Sequence, residues 1–388
     1  MTPAARIAAA IEVLDLWLDG AAVEQALTSW ARKHRFAGSK DRAAIRDHVF
    51  GAVRCRKSFA ALGGAETGRG LMIGALRAEG RDPGEMFTGD GYAPMALQPG
   101  EGDGPEIGDL SESTRLDCPD WLELPLRAAL GEDFAPVMDA LRQRAPVFLR
   151  ANLAKGSRED ANKALAEDGI IAAPHPLSPS ALEVIEGARS VQNSRAFMDG
   201  LVELQDAASQ AVVDLLPVSS GAKALDFCAG GGGKSLALAA KGADVTAHDI
   251  SAKRMGDSPV RAKRAGATVR VVEQKNSLKA AGYDLVFADA PCSGSGSWRR
   301  SPQGKWDLNQ PRLDELCSIQ AGILDELTGY VAPGGTLAYA TCSLLAAENS
   351  DQISAFLSRH SGWQVTLQRS FTPLDGGDGF FLALLTRS

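Results

Sequence analysis

Lys223-Ala-Leu-Asp-Phe-Cys-Ala-Gly-Gly-Gly-Gly-Lys-Ser235 is the stretch on which the fold reading turns. Residues 223–228 have the composition of a short buried strand, and the four glycines lead into a helical pattern over 235–241. Glycines at a strand-to-helix turn let the backbone come close to a ligand and present amides at a helix N-terminus. Downstream the rhythm continues, with strands expected over 243–249, 268–273, 283–289 and 336–341 and helices over 252–265, 311–331 and 346–359. Strands alternating with helices predict an α/β, Rossmann-like doubly wound parallel sheet. The last two strands, 363–368 and 380–386, have no helix between them, so they are expected to form an antiparallel hairpin at or near one edge.

Upstream the pattern changes. Ile7, Ile11, Leu14 and Leu18 recur at helical spacing, as do Ile45, Val49 and Val53, with no strand signal nearby. Residues 63–108 are rich in Gly, Pro and acids and read as loops between short helices. A strand over 146–152, a helix over 158–167 and a mixed segment after them form a small α+β connector. The expected domains are therefore an all-α unit over 1–130, the connector over 131–200 and the catalytic α/β domain over 201–388. A chain of 388 residues has room for two or three such domains at roughly 100–200 residues each.

Apolar residues make up 45% and charged residues 23%, which argues against a disordered or fibrous chain. No run of about 18 apolar residues occurs, and Glu12, Asp15 and Asp19 interrupt the N-terminal apolar stretch. Neither a membrane span nor a secretory leader is expected, which leaves a cytoplasmic address. Cysteines 55, 118, 228, 292, 317 and 342 contain no CxxC pair, so no metal site is expected. The net charge of −7 argues against a nucleic-acid partner, but it is unevenly spread. Arg32, Lys33, Arg35, Lys40, Arg42, Arg46, Arg54, Arg56 and Lys57 are opposed within their segment only by Asp41 and Asp47, while residues 61–120 are acidic. Local fields decide phosphate binding, so this segment is a candidate phosphate-binding face, with a solvated helix surface as the competing reading.

Three readings of the glycine loop compete. A P-loop needs Gly where Cys228 stands, and a dinucleotide fingerprint fits Gly230, Gly232 and Ser235 only loosely. The third is a methyltransferase glycine loop, in which Asp226 ends the strand before the glycines. Asp249, at the end of the next strand, suits ribose hydroxyls and does not discriminate between an adenosyl group and NAD. Asp289-Ala-Pro-Cys292 and Thr341-Cys342-Ser343 also end strands, so one aspartate and two cysteines converge on the ligand edge of the sheet.

These motifs, in this order, resemble those of the RNA (cytosine-5)-methyltransferases of the RsmB/Fmu/Sun type. The resemblance runs over nearly the whole chain. It includes Gln205-Asp-Ala-Ala-Ser-Gln, Arg299-Arg300-Ser-Pro, Glu348-Asn349 and Gly377-Asp-Gly-Phe-Phe, together with NusB-like N-terminal helices around Asp41-Arg42 and Gly51-Ala-Val-Arg54. It implies a class I S-adenosyl-L-methionine methyltransferase that methylates carbon 5 of a cytosine through a covalent cysteine adduct. The substrate implied is RNA, small-subunit (16S) ribosomal RNA first, with transfer RNA as the alternative and a non-catalytic RNA-binding assembly factor as the reading from another class. The implied catalytic residues are Cys342 as nucleophile, Cys292 assisting release of the methylated base, Asp289 contacting the base and Lys234 beside them. Spacing alone does not assign the two cysteines their roles.

The implied cofactor residues are Cys228, Ala229, Gly230, Gly231, Gly232, Gly233, Lys234, Asp249, Asn276 and Asp289. The family's usual Ala-Pro is replaced by Gly230-Gly231, and its third cofactor acid by Asn276. Arg299, Arg300 and Lys305 beside Trp306, with Arg54, are expected to contact RNA. The chain is expected to act as a monomer without a membrane or metal partner.

Overall fold

Helices alone build the first unit, Met1–Arg144 joined by Trp298–Asp307, in a computed structural model that describes residues 1–387. Helix Pro3–Leu18 starts behind Thr2, whose hydroxyl accepts from Ala5 N, with proline in the first position where its missing N–H costs nothing. Its buried face (Ile7, Val13, Leu14, Trp17) shares a core with Ile45, Val49 and Val53 of helix Ser39–Arg54 and Leu71 and Leu76 of helix Gly68–Ala78. Helices Arg56–Gly63 and Gly68–Ala78 pack backbone to backbone, since a Cβ on Gly74 would lie 1.9 Å from Phe59 O. Several cations of the basic segment find acids elsewhere in this unit, Arg46 with Glu24, Arg56 with Glu66 and Lys57 with Asp120. Arg32, Lys33, Arg35 and Lys40 remain exposed.

Trp298–Asp307 corrects an expectation. Lys305 is buried, and its ammonium donates to Arg54 O at 2.9 Å, where a cation meets the negative end of helix Ser39–Arg54. Arg54 Nε donates to Arg299 O at 2.8 Å, Arg299 is itself buried, and Trp306 Nε1 donates to Val53 O at 2.6 Å. Burial lowers the pKa of both Lys305 and Arg54. Lys305, Arg299 and Arg54 therefore hold this segment to the helical unit and are not an RNA-facing row; of the four, only Arg300 is exposed. Trp306→Ala, which removes a core contact and the Val53 bond, is expected to cost about 3 kcal/mol, read as a lower urea midpoint with little change in slope.

The second unit is Ala145–Ser297 with the chain from Leu308 onward. Its small sheet holds β1 (Val147–Ala151), β2 (Ile171–Pro174), β3 (Ala181–Glu186) and β4 (Val202–Leu204) in the order β2-β3-β1-β4, all pairs antiparallel. Helix Arg158–Glu167 is closed by a capping box of Ser157 and Asp160. The fourth strand lies beyond residue 200, and Asn152 after β1 donates to Ala265 O at 2.8 Å, so the connector is fused to the larger sheet.

That sheet has seven strands: β5 (Lys223–Asp226), β6 (Asp244–His248), β7 (Val269–Val272), β8 (Tyr283–Asp289), β9 (Val331–Thr341), β10 (Trp363–Phe371) and β11 (Phe380–Arg387). Their order is β10-β11-β9-β8-β5-β6-β7, with β5 to β9 parallel and β11 antiparallel to both neighbours. Both faces are covered, by clusters around Leu225, Val286 and Tyr339 on one side and Ala224, Phe287 and Ala338 on the other. Parallel strands buried on both faces read as continuous apolar runs, which is why β8 and β9 are legible in sequence. The helix expected over 252–265 is only Ser258–Ala265; Gly256 disfavours an earlier start, and Pro259 sits in the first turn, where a helix tolerates it. Among the described residues, no helix is long and apolar enough to cross a membrane and no side-chain cluster fits a metal.

Candidate active site

β5 delivers Asp226 to the sheet edge, and the glycine loop turns there. Asp226 Oδ2 accepts from Ser235 Oγ at 2.6 Å, while Oδ1 is buried with no partner. Burial raises its pKa to about 6, against the pull of the Ser235 hydrogen bond. Gln205 Oε1 is also buried and unpartnered. Both residues line a cleft of about 270 Å³ with Gly230, Gly231, Gly233 and Lys234. Gly232 takes φ +80° at the helix start, and a Cβ there would lie 2.6 Å from Ser258 Oγ, so the turn requires glycine. The loop is held from outside: Gly230 N donates to Asp249 Oδ2 at 2.9 Å, Arg261 donates to Gly231 O, and buried Arg150 of β1 to Gly233 O at 3.3 Å.

A second cleft of about 340 Å³ shares Cys228, Arg254 and Asp289 with the first and extends between Phe227, Ile250, Pro291 and Ile319. Asp249 lies on its wall, each carboxylate oxygen accepting one backbone N–H, from Gly230 and Ser251. Of the expected cofactor residues, Cys228, Ala229, Gly230, Gly231, Gly233, Lys234, Asp249 and Asp289 line one or both clefts. Asn276 is exposed in the turn Lys275–Ser277 and lines neither; its neighbour Lys275 does. Burial pushes the Cys228 thiol far above its ordinary range, so it is a wall and not a nucleophile.

The remaining groups stand at the ends of β8 and β9. Register pairs Asp289 of β8 with Ala340 of β9, so the loops after both strands leave the same edge side by side. Cys292 Sγ and Cys342 Sγ are 3.4 Å apart. The hydrogen bond to Cys342, with burial, raises the Cys292 pKa well above the usual thiol value. Lys234 Nζ donates to Asp289 Oδ2 at 2.6 Å. Burial opposes the ammonium, yet the Asp289 carboxylate outweighs it and raises the lysine's pKa, so Lys234 keeps its proton.

Glu348 is fully buried between the cysteine loops and accepts from Ser293 N at 2.7 Å and from Gln320 Nε2 at 3.0 Å. In the sequence it was only part of a motif; nothing in its spacing showed that it is buried. Chemically, the edge offers a pocket with an unpartnered acid for a cationic group, an apolar slot for a flat ring, and two thiols beside a charged Asp–Lys pair.

Residues 213–386 match a family described as 16S rRNA methyltransferase RsmB/F, and residues 118–192 the ferredoxin-like domain of RsmF/B-like methyltransferases. "Ribosomal RNA small subunit methyltransferase B" of Photorhabdus laumondii is 36% identical over 284 residues, and that of Cronobacter sakazakii 37%. Each alignment covers 69% of this chain and 66% of the relative's length. The solved structure of PH0851 is 22% identical and superposes with a TM-score of 0.78 over 100% of this chain and 99% of its own, a likeness of fold.

Proposed function

This chain belongs to the RsmB/F methyltransferase family, and from that premise we propose that it transfers a methyl group from S-adenosyl-L-methionine to carbon 5 of a cytosine in small-subunit ribosomal RNA. The observation that carries the reading is the pair of thiols 3.4 Å apart on the edge that ends in Asp289, which lines a cleft with Asp226, whose Oδ1 is buried without a partner. When bound, the cofactor supplies an electrophilic methyl on a sulfonium. Asp226 Oδ1 is a fitting acceptor for the ammonium of its amino-acid end, with Arg254 and Arg261 near for the carboxylate. Asp249 keeps lone pairs for the ribose hydroxyls, and the slot between Phe227, Ile250 and Ile319 suits adenine.

Cys342 is the nucleophile of the proposed reaction. Its sulfur adds to carbon 6 of the cytosine, which turns carbon 5 into an enamine-like centre able to attack a methyl group. Asp289, held by Lys234, accepts from the amino group of the base, and the Lys234 ammonium beside it offsets the charge that shifts onto the ring. Elimination then loses the carbon 5 proton to solvent and expels the Cys342 sulfur from carbon 6, and Cys292, 3.4 Å away and held as a thiol by its raised pKa, returns a proton to that leaving sulfur. The target base must be unstacked to reach them. All six cysteines are free, in keeping with a reducing cytoplasmic compartment.

The test is to incubate the protein with methyl-labelled cofactor and undermodified 16S rRNA. Label recovered as 5-methylcytosine in that RNA supports the reading; label confined to transfer RNA, or none, overturns it. Cofactor affinity carries a pH signature. A carboxyl with a pKa near 6 is mostly neutral at pH 5 and ionised at pH 8, so an ammonium held by Asp226 binds about tenfold more weakly at pH 5. Calorimetry of Asp226→Asn is expected to give the weak value at both pH values.

A further inference from the structure

We propose that Glu348 is a positioning residue that sets the distance between the two active-site thiols. Its carboxylate lies in the turn Ala346–Glu348, is fully buried, and takes no ion pair among the described residues. An unpaired buried carboxylate is costly unless hydrogen bonds satisfy it, and here every donor belongs to the reacting edge or its support. Oε1 accepts from Ser293 N at 2.7 Å and Gln320 Nε2 at 3.0 Å; Oε2 accepts from the hydroxyls of Ser293 and Ser343. Ser293 directly follows Cys292, and Ser343 directly follows Cys342. One carboxylate thus ties together the two residues adjoining the thiols, which lie fifty positions apart in sequence.

The carboxylate is itself anchored. Tyr339 OH donates to Glu348 O at 2.8 Å, and Asn349 Nδ2 donates to Ser343 O at 2.9 Å. Neither oxygen of Glu348 approaches a thiol by hydrogen bond, so its action is through Ser293 and Ser343. A glutamine in its place keeps the volume but turns an NH₂ toward hydroxyls that were donating to oxygen, which loosens the Cys292 loop from the end of β9.

The role rests on the proposed reaction only where turnover is measured, so a second readout needs no RNA. Diamide, an azo oxidant reduced to a hydrazine as it takes the two thiol hydrogens, joins Cys292 and Cys342 through one S–S bond at a rate set by their proximity. In Glu348→Gln this crosslinking, followed by peptide mass, is expected to slow by about tenfold or more. The kcat for RNA methylation is expected to fall on the order of 100-fold while KM and cofactor affinity stay within about twofold. Ser293→Ala, which removes one donor and keeps the backbone bond, is expected to move both readouts the same way by less. Crosslinking and kcat within twofold of wild type in Glu348→Gln overturn the role. If that variant does not fold, wild-type crosslinking in both Ser293→Ala and Ser343→Ala overturns it. A wild-type protein that crosslinks yet methylates no RNA counts against the proposed reaction and not against the positioning role.

Discussion

Cys342→Ala is expected to reduce methyl transfer to RNA by at least about 10⁴-fold, because without addition at carbon 6 the ring has no nucleophilic carbon 5 to offer. The loss belongs to chemistry and not to binding. Cys342 follows Thr341, the last residue of β9, and borders the Cys292 loop, whereas the cofactor clefts are lined from β5, β6 and β8. Calorimetric affinity for the cofactor should therefore stay within about twofold of wild type, and thermal stability should barely move, since a half-buried thiol is replaced by a methyl group. Labelling that persists undiminished in this variant would sink the nucleophile assignment, and transfer it to Cys292 if Cys292→Ala is then inactive.

Cys292→Ala should behave in a qualitatively different way. With Cys342 intact, the base is attacked and methylated, but elimination is no longer assisted, so a protein–RNA adduct stable to denaturant accumulates toward one RNA per chain. The geometric basis for this split is that Cys292 Sγ, 3.4 Å from Cys342 Sγ, stands where it can hand a proton to the sulfur that leaves carbon 6. On denaturing gels the adduct appears as a slow-migrating band that nuclease collapses. It must vanish in the Cys292→Ala/Cys342→Ala double variant, because the bond runs through Cys342. A Cys292→Ala protein that turns over freely with no band would mean that release is handled elsewhere at this edge.

Much of this architecture is visible along the chain. β8 was expected over 283–289 and is Tyr283–Asp289, because its centre, Leu285 to Ala288, is an apolar run buried on both faces of the sheet. The hairpin of β10 and β11 was visible from the lack of an intervening helix, although β11 sits inside the sheet and leaves β10 as the edge. The glycine loop, Asp249, Asp289 and both cysteines were legible because ligand sites in such sheets lie at the carboxyl ends of strands. Three features were not legible. Asn276 follows its strand as a cofactor residue would, yet its turn carries it out to solvent. Asp226 was seen only as the acid before the loop, and its unpartnered oxygen emerges only once Ser235 is seen to satisfy the other. Arg299 and Lys305 look like a basic surface loop beside an aromatic, and nothing local reveals that helix Ser39–Arg54 supplies a carbonyl for Lys305.

By itself, then, the sequence determined the order of strands and helices, the turn that demands glycine and the residues that end up on the ligand edge. Each of these follows from periodicity or backbone freedom within a few neighbouring residues. Tertiary structure alone decided which cations are buried, which acid lacks a partner, and that Cys292 and Cys342 stand 3.4 Å apart. Those outcomes depend on the parallel register that sets Asp289 beside Ala340 and on a buried glutamate joining two loops, and no local pattern encodes a distance between residues so far apart in the chain.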